Sequence, residues 1–155
     1  MHANRRPGRI LFPALLALFA AAAARGQASL DNVFVSTSER ADVSRLTDGG
    51  VIVVGDGAGG AVVTIAGEMK GRADREGVIG VVFVPELPFF TAAYRNRKLV
   101  LAAAEVTAPV ALGETSLFIS KSRRIEVGFS SYHVYLYNTT GGAATINVYL
   151  NPVRN

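Results

Sequence analysis

Beyond His2 the chain carries a single histidine, His133, and it has no cysteine at all. Imidazole–thiolate metal centres and Cys–His nucleophilic pairs are thereby excluded, as are disulfides. A Ser–His–Asp hydrolase centred on His133 is formally allowed. No serine lies in a nucleophile-elbow pattern, however, and a lone histidine within a strand reads more readily as a packed or surface residue. The carboxylates Asp74 and Glu76 sit beside Arg72 and Arg75, which is the composition of a solvated loop and not of a glycosidase pair. The expectation is no catalytic residue, no cofactor and no metal.

The run Gly55-Asp56-Gly57-Ala58-Gly59-Gly60 matches the G-x-G-x-x-G pattern of dinucleotide sites. That chemistry needs the last glycine to open a helix, whose N-terminal amides hold a pyrophosphate. Here Ala61-Val62-Val63-Thr64-Ile65 follows, a β-branched run that favours strand. The glycines therefore read as a hairpin loop supplying positive φ angles. A calcium loop fails too, since Asp56 is the one carboxylate present and calcium takes about six to eight oxygens.

A candidate binding face comes from alternation near the C-terminus. Tyr132, Val134 and Leu136 share one side of a strand, opposite His133, Tyr135 and Tyr137. In residues 145–150, Ile146, Val148 and Leu150 oppose Thr145, Asn147 and Tyr149. Read as one hairpin turning at residues 138–142, these runs point their aliphatic sides into a core. His133, Tyr135, Tyr137, Asn147 and Tyr149 would then line the other side. Such an aromatic strip suits burial against another protein, stacking on sugar rings, or ordinary cross-strand pairing on a solvated face.

Two basic clusters, Arg95-Asn96-Arg97-Lys98 and Lys121-Ser122-Arg123-Arg124, are expected at turns. Brought together they would hold an anionic polymer or a lipid headgroup; apart, they protect strand edges. Asn138-Thr139-Thr140 matches an N-glycosylation acceptor, relevant only in a eukaryotic host.

The elements that must position these residues are short β-branched runs divided by glycine and charge. Strands are expected at residues 32–36, 51–54, 61–66, 78–84, 116–120, 124–129, 132–138 and 144–150. Capping-box spacing at Ser36 and Glu39 suggests a helical turn or two before Leu46, and Asp48-Gly49-Gly50 reads as a break. Residues 89–106 are ambiguous: the alanines favour helix, while Arg95 to Lys98 reads as a turn between two strands. Two strands there make roughly nine or ten in all, an antiparallel β-sandwich or jelly-roll-like domain.

Ahead of that domain stands a leader. Arg5, Arg6 and Arg9 precede an apolar run at residues 10–24, and Gly26-Gln27-Ala28 offers small residues around a cut before Ser29. This is the layout of a signal peptide over residues 1–28, leaving one domain at 29–155. The run is short of the ~20 residues a spanning helix needs, so no permanent membrane anchor is expected. The formal charge is +4. Arg5, Arg6, Arg9 and Arg25 account for all of it, so the mature chain is neutral and nucleic acid is not an expected partner. The expected protein is exported, periplasmic or extracellular, and non-enzymatic. It acts in protein–protein contact or self-assembly at the cell envelope or outside the cell. A carbohydrate-binding module using Tyr135, Tyr137 and Tyr149 is the alternative, and a hydrolase at His133 comes third.

Overall fold

A computed structural model describes residues 28–41, 45–86, 103–115 and 118–153. Ala28 opens the first strand, while residues 1–27 of the leader, and the first basic cluster at Arg95, Arg97 and Lys98, lie outside the described residues. So does most of the ambiguous stretch 89–106. The described residues form eight strands and no α-helix: β1 (Ala28–Val35), β2 (Thr47–Val53), β3 (Gly60–Lys70), β4 (Gly77–Pro85), β5 (Ala104–Val110), β6 (Phe118–Glu126), β7 (Ser131–Asn138) and β8 (Ala143–Val153).

They make two antiparallel four-stranded sheets, ordered β1-β8-β3-β6 and β2-β7-β4-β5. Only β4 and β5 are both consecutive and paired; every other link passes from one sheet to the other. The glycine loop after β2 is therefore a crossing between sheets and not a hairpin. Its conformational role is as expected, with Gly55 at φ 82° and Gly57 at φ 80°, and a strand follows it. Similarly, β7 and β8 do not form the expected hairpin. Alternation fixes which residues share a face, but long-range partners decide which strand lies alongside.

One hydrophobic core draws on both sheets. Val63, Ile65, Ile146, Val148 and Leu150 of the β1 sheet join Ile79, Val81, Phe83, Val134 and Leu136 of the β2 sheet, all without solvent exposure. The expected inward sides of β7 and β8 are both correct. Tyr132 is inward as well, edge-on to Phe83 with ring centroids 6.2 Å apart. Its hydroxyl accepts the N–H groups of Gly128 and Phe129, which fixes the approach to β7.

Two boundaries differ from the sequence reading. Asp48-Gly49-Gly50 lies inside β2 as a bulge, where Gly50 takes φ 90° and donates its N–H to Asp48. The Lys121-to-Arg124 cluster is mid-strand in β6 rather than a turn, because every residue from 118 to 126 pairs with β3. Pro109 lies within β5, an edge strand, which is where a sheet tolerates proline.

The β7–β8 link is held by Asn138, which is fully buried. Its Nδ2 donates to the carbonyls of Val35 and Gly142, while its Oδ1 accepts from the N–H and Oγ1 of Thr140. Its backbone exchanges hydrogen bonds with Ser38. The glycosylation reading is corrected by this geometry, since the amide nitrogen is committed twice and has no access to solvent. Replacing Asn138 with Ala strands buried partners on several segments. Urea unfolding should show a loss of about 2–4 kcal/mol with little change in the denaturant slope.

Candidate functional site

The outward side of β7 carries His133, Tyr135 and Tyr137, as alternation requires, but it is not an open aromatic strip. Tyr135 is 7 % exposed and Tyr137 is 3 % exposed. With Val82 and Val84 they form a second apolar cluster, against which Leu46 and Val78 pack. The sequence signal for this lay in β4, whose unbroken apolar run Val81-Val82-Phe83-Val84 has no polar side to give to solvent.

Tyr137 shows how the burial is built. Its ring lies across Gly80, its register partner on β4, where an added Cβ would collide with the ring. Glycine is thus required for the ring to reach β5. There the phenol donates to Glu105 Oε1 at 2.5 Å, and Arg40 closes the group with Nη2 2.8 Å from Glu105 Oε2. Burial first, and then the hydrogen bond to Glu105 and its charge, push the Tyr137 phenol well above its ordinary value.

His133 is the partly open member of this face. Its Nε2 is 2.7 Å from Asp48 Oδ1, and its Nδ1 is 3.5 Å from Glu86 Oε2. The imidazole stacks on Tyr135 with centroids 4.7 Å apart and planes 13° from parallel. Asp48 reaches it from the β2 bulge and Glu86 from just beyond β4. Both carboxylates escaped the sequence reading, because register across three strands is what brings them to the ring. Among the described residues, no group of three His, Asp or Glu side chains is placed to hold a metal.

The other half of the expected face is elsewhere. Asn147 and Tyr149 stand on β8, in the β1 sheet, so the structure separates them from His133, Tyr135 and Tyr137. Asn147 serves the fold, because its Oδ1 accepts the N–H of Asn32 at 2.6 Å. Asn32 is at φ 56°, in the left-handed region, within the β1 bulge. Tyr149 is half-buried between Ser29 and Thr64 in the register, and Thr64 shares a 2.8 Å hydroxyl hydrogen bond with Ser122. The correction follows from the topology: five residues expected on one face belong to two sheets, and two of them are buried.

What the structure leaves open are edges. Two of the four edge strands carry features that discourage pairing with another chain: β5 has Pro109, and β6 has Lys121, Arg123 and Arg124, all exposed. β1 and β2 each have a bulge and, beyond it, a short uncharged stretch in regular register; β1 exposes one apolar side chain there, Phe34, and β2 exposes two. Residues 51–53 run in regular register against β7, with no proline or charge, and Val51 and Val53 are 46 % and 65 % exposed. Phe129, also exposed, lies close by, since Val54 N–H donates to the Ser130 carbonyl. No protein-family model matches this chain, and no curated protein resembles it in sequence.

The Tyr137 geometry gives a pH-dependent expectation. Folding holds the phenol neutral, so its stabilising effect is complete below its unfolded value of 10.0 and is lost as pH rises beyond it. Tyr137→Phe should cost about 1–2 kcal/mol at neutral pH, because Glu105 loses a donor. The variant should also lose less stability than the parent between neutral and strongly alkaline pH, as followed by urea titrations.

Proposed function

We propose that this chain is an exported, non-enzymatic β-sandwich of jelly-roll strand order that acts through protein–protein contact, and specifically through self-association along β2. The order β1-β8-β3-β6 opposite β2-β7-β4-β5 is that of an eight-stranded jelly roll, and the shared core supports face-to-face packing of the two sheets. The observation that carries the contact reading is the contrast between edges. Among the described edge strands, β2 exposes two large apolar side chains, Val51 and Val53, on an uncharged, proline-free stretch, where β1 exposes one, Phe34. That stretch is also self-complementary. Two antiparallel copies related by a two-fold at Ile52 set Val51 of one opposite Val53 of the other, on the same side of a continued sheet.

The competing roles have less support. With Tyr135 and Tyr137 buried and Tyr149 on the other sheet, a sugar would find no continuous aromatic surface. A hydrolase needs a histidine nitrogen free to take a serine proton, whereas both nitrogens of His133 face carboxylates. Export rests on residues 1–28 and is tested separately. Mass analysis of the protein recovered from an exporting bacterial host should give a chain beginning at Ser29, and an uncleaved cytoplasmic product would refute it.

Sedimentation velocity tests the assembly. The parent protein should run as a dimer or larger, and Val51→Lys with Val53→Lys should weaken association by about a hundredfold or more, near 2.7 kcal/mol. A monomeric parent, or a variant that associates as the parent does, would overturn the reading.

A further inference from the structure

On the side of the molecule where the edges β5 and β6 meet there is an open groove of ≈ 490 Å³, lined by Val78, Thr107, Pro109, Lys121, Ser122 and Arg123. Two cations and Thr107 stand beside Val78 and Pro109, and among the described residues no carboxylate lines it. Lys121 and Arg123 are two apart on β6, so they project from the same side of the strand. Among the described residues, neither makes an ion pair or hydrogen bond, although most other cations with placed side chains do: Arg40 with Glu105, Lys70 with Glu68 and Arg75 with Glu39.

Edge protection accounts for charge on β6 but not for this arrangement. One lysine suffices to blunt an edge, and it does so equally well beside a carboxylate. In a mature chain with as many acidic as basic residues, a recess holding only cations concentrates positive potential. Like charges kept together with no partner oppose the fold slightly, and an anionic ligand would relieve that repulsion while accepting charge-assisted hydrogen bonds.

From this geometry we infer that the β5–β6 groove binds an acidic polysaccharide, with sulfate or carboxylate groups on Lys121 and Arg123. The sugar ring's C–H side rests on Val78 and Pro109, and Thr107 meets its hydroxyls. A groove, unlike a flat patch, suits a linear chain. Among the described residues, the exposed large apolar side chains that would anchor the surface in lipid are Phe34, Val51, Val53, Leu112 and Phe129, and none of them lines it. Nucleic acid is disfavoured by the neutral mature chain. The site is separate from β2, so its fate does not depend on the self-association reading.

Heparin is the probe, with unsulfated dextran as its neutral counterpart, and calorimetric titration of the exported protein is the measurement. Heparin should bind with an affinity that falls as salt rises, and dextran should not bind. Lys121→Gln with Arg123→Gln should weaken heparin by about tenfold or more, whereas Lys70→Gln with Arg75→Gln, which removes equal charge elsewhere, should change it less than about twofold. Thr107→Asp, which adds a carboxylate and removes no cation, should weaken it as well. Failure of heparin to bind, equal losses in the two double variants, or an unaffected Thr107→Asp would each overturn the proposal. So would stronger binding to vesicles of phosphatidylcholine and phosphatidylglycerol than to heparin, which would reassign the groove to lipid headgroups.

Discussion

The buried side chain and the backbone of Asn138 together tie four parts of the chain, its own included, and the two-sheet arrangement depends on that meeting point. Val35 ends β1, Ser38 begins the segment beyond it, Asn138 ends β7, and Gly142 precedes β8. Thr139 and Thr140 add a fifth part. Thr139 exchanges hydrogen bonds with Val78 at the start of β4, and the Thr140 carbonyl accepts the N–H of Arg75 in the loop before it. A carbonyl or amide buried without a partner costs about 1–3 kcal/mol, so these segments are each held to one position by groups they cannot leave unpaired. An aliphatic residue of the same size would fill the space and satisfy none of them. This explains why a link of four residues takes the chain from one sheet to the other when a hairpin would have been shorter.

The outer face of the β2 sheet follows from the same need to pair polar groups. Covering Tyr135 and Tyr137 requires that the phenol of Tyr137 find an acceptor, which Glu105 provides, and that Glu105 find a cation, which Arg40 provides. Arg40 comes from the segment after β1 that Asn138 anchors through Ser38. Gly80 is the complementary vacancy: the ring occupies the volume a side chain would need. Tyr137, Glu105 and Arg40 come from three separate parts of the chain, β7, β5 and the segment after β1.

That dependence marks the boundary of what could be read in advance. The all-β class, most strand positions, and the inward sides of β7 and β8 were legible, because strand period and β-branching are local properties. The positive φ of Gly55 and Gly57 was legible for the same reason. Tyr135 and Tyr149 could not be separated that way, since both alternate correctly and only the pairing of β8 with β1 and β3 parts them. Lys121 to Arg124 resembles a turn by composition, yet an edge strand tolerates charge on both sides. Asp48 and Glu86, the partners of His133, come from separate strands and carry no motif. The apolar run of β4 was the one available clue that the tyrosines are covered.

The strand order also sets a schedule. β7 lies between β2 and β4, and β8 lies between β1 and β3, so the two latest of the described strands occupy interior places, one in each sheet. Neither sheet can close while residues 131–153 are missing, however complete the rest of the chain is. Loop closure over such separations is slow, and its cost comes before the contacts that repay it. Without β7 and β8 the other described strands keep only the β3–β6 and β4–β5 pairings, so both sheets are completed together when these two strands dock.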